Sequence, residues 1–454
     1  MFKTLRNSWR IPELKNKLLF TLLIVILYRL GSAIPVPYVN ALARDTMANA
    51  WGGGNILQFI NLLSGGALGQ GTLFALGVSP YITASIVMQL LAIAIPYFEK
   101  KSKEGEEGKK VIDAWTRGVT IILAIITSIG YVSMLDGYGI LQKDANFFVY
   151  LVMISCYCAG AALVMWLAQK IDSFGIGNGI SIILFVGIVS SVPGQLAEFW
   201  TTSFKNPAVG GGFDIWGFVV SIVFIVGLVA MLFFIVWMSD AERRIPIQYA
   251  KRVVGRKMYG GQNTNLPIKV NMSGVMPIIF ANSIVAILPT IASFIAQKHP
   301  DNGFVKFVEN WFGPTTWPYL IVFFVLLIAF AYFYVAISFN PIEVANNIKN
   351  NGGAIPGIRS GRPTVDFIRK VLSKITLLGA LLVAVIACVP MIAGIILGYF
   401  PVDPAYSLLA SSRFPINAIS FGGSSMMIVV GVAIETTREL EAQMSLRNYK
   451  GFLD

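Results

Sequence analysis

The sequence is poor in charge. Of its 454 residues 13% are charged, where soluble domains carry about 25%, and 56% are hydrophobic, with a mean hydropathy of +0.70. A chain of this length cannot cover a water-facing surface with so few charges. The composition therefore excludes the soluble enzyme classes and predicts a polytopic membrane protein.

Residues that bind metals or form disulfides are scarce. The chain has one histidine, His299, and three cysteines, Cys156, Cys158 and Cys388. Cys156 and Cys158 lie two residues apart in an apolar run, on different helix faces, and are expected to be buried thiols. This supply excludes a metal cluster of ordinary ligand spacing and a disulfide framework. We predict no cofactor.

Uncharged stretches mark the membrane spans. A helix needs about 20 apolar residues to cross the hydrocarbon core, so each stretch fits one crossing. The prediction is an all-α protein with ten transmembrane helices. The first apolar run is at about 18–34, and the charge-free windows are 46–98, 118–135, 145–169, 173–197, 215–239, 270–297, 310–342, 375–402 and 414–434.

The distribution of basic residues predicts the orientation. If the N-terminus is cytosolic, the cytosolic side carries 28 Lys and Arg residues and the outer side six, while Arg29 lies within the first span. This asymmetry fits the positive-inside rule and places both termini in the cytosol. An arginine within a span usually pairs with a partner or reaches the interface. A cleaved signal peptide is an alternative for the first span, although Pro35 and Pro37 favour a loop after a retained helix.

The window 46–98 is long enough for two crossings but does not fit two. Residues 46–71 are rich in glycine, asparagine and glutamine, and only 56–63 is compactly apolar. Eight helical residues reach about 12 Å, far short of the core thickness. We interpret 55–68 as a re-entrant segment and 72–97 as the second span. An external loop with one amphipathic turn fits 55–68 equally well.

A short pattern occurs twice. Gly-Val-Ser-Pro-Tyr-Ile-Thr-Ala at 77–84 returns as Gly-Val-Met-Pro-Ile-Ile-Phe-Ala at 274–281. The copies open spans two and seven, an odd number of spans apart, so the two halves face opposite ways. Inverted repeats place the working site between the halves near the membrane midplane. Five identities between apolar stretches can also arise by chance.

The span interiors lack acidic residues. Proton- or cation-coupled carriers usually place such groups at membrane depth, and membrane-embedded enzymes need polar catalytic groups there. Ile82 and Ile86 share one helix face, as do Ile180 and Leu184. A ring of aliphatic side chains can close a pore by excluding water. The same spacing is typical of core or lipid-facing helices, and a carrier whose ion coupling uses backbone carbonyls stays an alternative, as does a solute permease.

Two loops concentrate positive charge. Residues 239–272 contain seven Lys and Arg residues, and residues 339–374 contain six. Membrane topology requires only a few per loop. The surplus predicts docking of an acidic partner, such as ribosomal RNA or an acidic protein face. Contact with anionic lipids is the alternative.

Taken together, eight ordered stretches resemble the SecY/Sec61α family of protein-conducting channels, nearly end to end. They include Gly-Ile-Gly-Asn-Gly-Ile-Ser and Phe-Gly-Gly-Ser-Ser. The stretches are 34–37, 59–68, 74–90, 175–181, 249–252, 266–281, 355–359 and 421–425.

The resemblance implies two inverted five-helix halves around an hourglass pore, with a plug at 55–68 and a lateral gate between spans two and seven. The implied pore ring is Ile82, Ile86, Ile180, Leu184, Ile279 and Ile428. The implied plug residues are Ile56, Leu57, Phe59, Ile60, Leu62, Leu63, Ser64, Gly65 and Gly66. The implied gate residues are Ser85, Gln89, Ile278, Asn282, Ser283 and Ile287. Gln89 and Asn282 are expected to hydrogen-bond across the closed gate.

The resemblance also implies a passive channel, since the SecA motor hydrolyses ATP, and the chain has no P-loop sequence. The implied partners are SecE and SecG, SecA, the ribosome, polypeptides with signal sequences and anionic lipids, in the bacterial inner (plasma) membrane. The residues implied to bind SecA or the ribosome are Arg243, Arg244, Lys251, Arg252, Arg256, Lys257, Arg359 and Arg362. The implied divisions are a cytosolic amphipathic segment (1–17), an N-terminal half (18–200), a C-terminal half (201–435) and a cytosolic tail (436–454).

Overall fold

The computed structural model describes residues 6, 8–40, 56–141, 146–204, 215–249, 252–254, 257–259, 263–296, 302–313, 316–399 and 416–450. The helices are α1 (Pro12–Gly31), α2 (Ile56–Leu63), α3 (Ser79–Ala94), α4 (Pro96–Lys103), α5 (Glu106–Gly137), α6 (Phe147–Phe174), α7 (Gly179–Phe204), α8 (Ile215–Asp240), α9 (Met276–Ala296), α10 (Gly303–Phe312), α11 (Trp317–Ser338), α12 (Pro341–Asn350), α13 (Arg362–Tyr399) and α14 (Ile416–Lys450). The strands are β1 (Glu242–Tyr249), β2 (Arg252–Val254), β3 (Lys257–Tyr259), β4 (Asn263–Lys269) and β5 (Gly353–Ala354).

Every predicted span coincides with a helix: α1, α3, α5, α6, α7, α8, α9, α11, α13 and α14. Within the described ranges, five helices are long and apolar enough to cross a membrane, and a sixth crossing is added if α3 and α4 form one span. These two helices bend by 98° at their junction. Pro96 follows the bend, and Ile95 before it is extended, as a residue preceding proline prefers.

Several helices continue beyond their charge-free windows. Helix α5 already begins at Glu106, α13 at Arg362, and α14 continues to Lys450. The windows mark only the part of each helix that lies in the membrane. Charged residues are excluded from the hydrocarbon core, whereas helical hydrogen bonding continues beyond it. The predicted limits of the N-terminal segment and the tail consequently fall inside α1 and α14, and the division into halves stays a prediction.

The repeated pattern has the same structural role in both places. Gly77 precedes α3 with φ +55°, and Gly274 precedes α9 with φ +62°. Glycine adopts this left-handed conformation without a steric penalty. Pro80 and Pro277 are the second residues of their helices, where the missing N–H is not needed. Helices α3 and α9 also pack against each other, so the repeat forms a seam in the molecule.

The largest apolar core lies between both halves of the chain. Its buried residues come from α1, α3, α6, α7, α8, α9, α11, α13 and α14. A second core joins α5 and α6 to the chain around Val36 and Leu68. Cys388 is buried in the largest core, but Cys156 and Cys158 are half-buried, because their helix α6 has an exposed side. The expectation of buried thiols is therefore wrong for these two; all three cysteines are free.

A small β-sheet that we did not predict joins the two basic loops. Strands β4, β1 and β5 form an antiparallel sheet, in which Ile245 of β1 lies opposite Leu266 and Gln248 lies opposite Ala354. Ile245 and Ile247 point into a third core, formed with α11, α12 and α13. Strands β2 and β3 pair separately. Because β5 belongs to the second loop, the two loops form one unit.

Candidate functional site: an apolar centre, a plug and a seam

The structure brings the six predicted ring residues into one apolar cluster. They come from α3, α7, α9 and α14. Five have at most 4% of their surface exposed, and Ile180 is partly buried against the same cluster. Such side chains offer no hydrogen bonds to water or ions, and an apolar cluster of this kind disfavours both. The cluster contains Ile82, Ile86, Ile180, Leu184, Ile279 and Ile428.

The predicted plug contains a helix of eight residues, α2, followed by tight turns through residue 71. Leu62 and Leu63 pack against the central cluster, while Ile60 packs against the second core. Ser64 is buried, and its hydroxyl accepts a hydrogen bond from the Leu68 amide at 3.2 Å. The side chains of Ile56, Leu57 and Phe59 lie outside the described residues.

Helix α2 approaches α7 very closely at Gly187. A side chain there would put its first carbon 2.2 Å from the Leu63 carbonyl oxygen, well inside van der Waals contact. The absence of a side chain thus lets the end of α2 touch the α7 backbone. Sequence reasoning missed Gly187, because a lone glycine in a span resembles any other helix-packing position.

Hydrogen bonds from α1, α5 and α6 hold the chain that follows α2. Tyr28 donates to the Ser64 carbonyl at 3.4 Å, and Arg29 donates to the Gly65 carbonyl at 3.3 Å. Tyr131 donates to the Leu68 carbonyl, and Tyr157 donates to the Gly71 carbonyl at 3.3 Å. Arg29 therefore pairs within the protein, as expected of an arginine in a span. The three tyrosines were not among the predicted site residues, since their sequence positions carry no pattern.

The seam between α3 and α9 contains the predicted gate residues. Ile278 is fully buried, Ser85 and Ser283 are half-buried, and Ile287 is exposed. The Ser283 hydroxyl donates to the Ile279 carbonyl of its own helix at 2.8 Å.

The expected bond between Gln89 and Asn282 is not formed. The Gln89 amide donates to the Ser85 hydroxyl of its own helix at 3.2 Å. Asn282 is 3% exposed, and neither atom of its amide has a hydrogen-bond partner. A partner one turn away on the same helix is always within reach, whereas a partner on α3 must have the right height and rotation. The seam thus contains a buried side-chain amide without a hydrogen-bond partner.

Of the eight basic residues predicted to bind a cytosolic partner, the structure describes the side chains of four. The side chains of Arg243, Arg244, Arg359 and Arg362 are exposed. Arg244 pairs with Glu242 at 2.6 Å, an exposed contact. Arg252 lies in β2 and Lys257 in β3, with no description of their side chains, and Lys251 and Arg256 lie outside the described residues.

The sheet of β4, β1 and β5, which we call the basic sheet, is hydrogen-bonded to α14 at its base. Arg438 donates to the Ser239 carbonyl and to the Asp240 carboxylate, both at 2.8 Å. Burial, followed by the charge of Arg438, lowers the pKa of Lys269 at the end of β4. The loop of 239–272 is therefore anchored at its base by Arg438, while the side chains of Arg243 and Arg244 are exposed. Within the described residues, no group of His, Cys, Asp and Glu could hold a metal ion.

Comparison with known proteins gives consistent similarities. The family model described as SecY matches residues 72–437. The protein translocase subunit SecY of Streptomyces galbus is 41% identical over 464 residues, covering 100% of both chains. The protein translocase subunit SecY of Mycobacterium tuberculosis (strain ATCC 25618 / H37Rv) is 40% identical over 467 residues, again covering 100% of both.

Solved structures share the fold. A structure described as "The structure of a protein conducting channel" is 18% identical, with a TM-score of 0.61, covering 94% of this chain and 92% of that one. "Sec61 in the Canine ribosome-channel complex from the endoplasmic reticulum" is 16% identical, with a TM-score of 0.57 and the same coverage. At these identities the likeness establishes the architecture.

Proposed function

The chain belongs to the SecY family, and on that premise we propose that it is a channel that conducts unfolded secretory polypeptides across the membrane and releases membrane-protein helices sideways into the lipid. The channel itself performs no chemistry. The energy for transport comes from a docked partner.

The observation that carries this proposal is the apolar centre at the α3–α9 seam. A polypeptide channel must admit many side chains and yet hold back ions. Aliphatic residues such as Ile86 and Ile279 form no specific bonds, so they do not select among passing sequences. They also disfavour hydrated ions, which lose water at an apolar constriction.

Opening requires an interaction that favours the open state. The signal sequence of a secretory protein is an apolar helix. Its free energy falls when α3 and α9 part and let it contact lipid. The buried amide of Asn282 favours the same change, since it gains hydrogen-bond partners only when the seam admits water or a substrate backbone. Movement of α2 away from the centre then clears the path.

The proposed partners follow from the two basic loops and from the family. Arg243, Arg244, Arg359 and Arg362 present positive charge suited to SecA or to ribosomal RNA. SecA hydrolyses ATP and pushes the polypeptide, SecE clamps the two halves, and SecG binds at the periphery. The protein resides in the bacterial inner (plasma) membrane with both termini in the cytosol, in contact with anionic lipids.

The experiment is translocation into vesicles. The purified chain, reconstituted with the subunits that copurify with it, should import a secretory precursor upon addition of SecA and ATP. Import is scored by protection from external protease. Vesicles that take up a small solute saturably without any partner, and protect no precursor, would favour a permease and contradict the proposal. Recovery of SecE and SecA with the tagged chain supports the assignment of partners.

A further inference from the structure

We propose that Arg29 is a latch that holds the plug in its closed position by joining the end of α2 to α1 and α7. This rests on the proposed function, because it assigns a positioning role in the resting channel. Arg29 lies in the last turn of α1. One of its guanidinium nitrogens donates both to the Gly65 carbonyl at 3.3 Å and to the Ser190 hydroxyl at 2.8 Å.

The geometry explains why a cation suits this place. Helix α2 ends at Leu63, and the amides of Ser64, Gly65 and Gly66 turn back to carbonyls of its last turn at 3.0, 3.1 and 2.8 Å. Gly65 has φ +68°, the conformation that commonly ends a helix. The C-terminus of a helix carries a partial negative charge. Arg29 therefore meets the negative ends of α1 and α2 at the same point.

Ser190 connects Arg29 to the third helix of the contact, α7. Its hydroxyl donates to the Gly187 carbonyl at 2.7 Å, and so its oxygen is oriented to accept from Arg29. Gly187 is also the residue at which α2 touches α7. The contact between the plug and α7 and the bond from Arg29 thus lie within one turn of α7.

The contact is directional and can be broken as one unit. Leu62 and Leu63 hold α2 by apolar packing, which decays gradually as the helix moves. The hydrogen bonds of Arg29 are lost within a small displacement, because they require distances near 3 Å. An arginine at membrane depth is also costly without partners, which favours the latched state further. The latch makes the resting state a definite state of the channel rather than a loosely held one.

The test measures ion flux and plug position in the absence of substrate. Arg29→Met keeps an unbranched, flexible side chain, although a shorter one, and removes the charge and the donors. The resting ion flux of reconstituted vesicles should rise on the order of tenfold, the factor expected for loss of a charge-assisted hydrogen bond. Ser190→Ala should raise the flux less, and the double variant should match Arg29→Met alone. Lys170→Met is the matched control. It also replaces a cation by methionine, but Lys170 contacts the rings of Trp166 and Phe174 on its own helix, α6.

A second readout separates a latch from a merely structural residue. Ser64→Cys, in a chain whose native cysteines are replaced by alanine, should react slowly with an impermeant thiol reagent, since Ser64 is buried. Arg29→Met should accelerate this reaction and Lys170→Met should not. Wild-type flux, or unchanged protection of the thiol, overturns the latch.

A variant that does not insert leaves the proposal testable. If Arg29→Met fails to insert, Arg29→Lys and Ser190→Ala test the latch by the same two measurements, and wild-type values in both variants overturn it. A wild-type chain that imports no precursor overturns the proposed function, whereas ion flux and thiol protection judge the latch alone.

Discussion

The apolar centre and the basic sheet lie in the same chain but are built from opposite materials. The centre buries Ile86 and Ile279 among aliphatic neighbours, whereas Arg243 of β1 and Arg359, which follows β5, are exposed. Apolar packing is non-directional and tolerates residues of similar volume. Charge attraction depends on sign and is screened by salt. The difference teaches that the two proposed roles, sealing by the centre and docking of a partner at the basic loops, are separable: damage to one region should spare the other.

The largest effect is expected from fixing the seam. Cysteine pairs placed between residues 82–90 and 279–287 should crosslink in the resting protein and block import almost completely, because α3 and α9 pack against each other and must part. Reduction of the crosslink should restore import. SecA should still bind, since the basic sheet is untouched. If no such pair yields a crosslinked product, the gate is elsewhere.

Reversing the charge at Arg359 should come next. Arg359→Glu should lower SecA-driven import tenfold or more, since charge reversal places like charges opposite each other at the proposed interface. The resting ion flux and assembly with SecE should stay unchanged. Lys110→Glu, a charge reversal of the same size at an exposed position of α5 outside both basic loops, is the control. Import at the wild-type rate would remove Arg359 from the docking surface.

Widening the ring should have the reverse effect of the Arg359 variant: the resting ion flux should change, and SecA binding should not. Ile279→Gly removes a buried aliphatic side chain and should raise the resting ion flux on the order of fivefold or more, from the apolar burial that is lost. SecA binding should be unaffected. Ile279→Leu conserves the volume and should leave the flux near wild type. A resting conductance equal to wild type in the glycine variant would place Ile279 outside the ring.

The smallest effect concerns the unsatisfied amide at the seam. Asn282→Leu should raise the free energy of unfolding by about 1–3 kcal/mol, because a buried group without partners is removed. It should also slow signal-triggered import a few-fold, since the closed state is stabilised. Ser181→Ala is the matched control: the Ser181 hydroxyl is also buried without a partner, but it lies on α7. A destabilised Asn282→Leu protein would show that the amide has a partner in the closed state.

The sequence predicted the helices of the membrane far better than the details around them. Each charge-free window coincides with a helix because the hydrocarbon core excludes charge, whatever the tertiary structure. The strands escaped prediction because β1 has only two buried isoleucines, Ile245 and Ile247, and β5 is two residues long. Strand β5 pairs with β1 across about a hundred residues of chain, which no local pattern encodes, whereas β4 pairs with β1 inside a single loop.

The candidate site shows the same contrast between features that the sequence predicts and features that depend on tertiary packing. The ring was placed by a resemblance, and its residues do meet in one cluster. The partners of Arg29 and the rotation of Gln89 depend on how helices lie against one another, so neither follows from spacing along the chain. The bond across the seam was expected from the resemblance and is absent, because the Gln89 amide donates to Ser85 of its own helix.

The most direct test of transport through the centre follows a polypeptide on its way. A photoreactive residue is placed at Ile86, in the central cluster, or at Ile122, which is 59% exposed on α5. A precursor arrested during import should crosslink to Ile86 and not to Ile122. Equal crosslinking at both positions, or crosslinking at Ile122 alone, would contradict a path through the apolar centre.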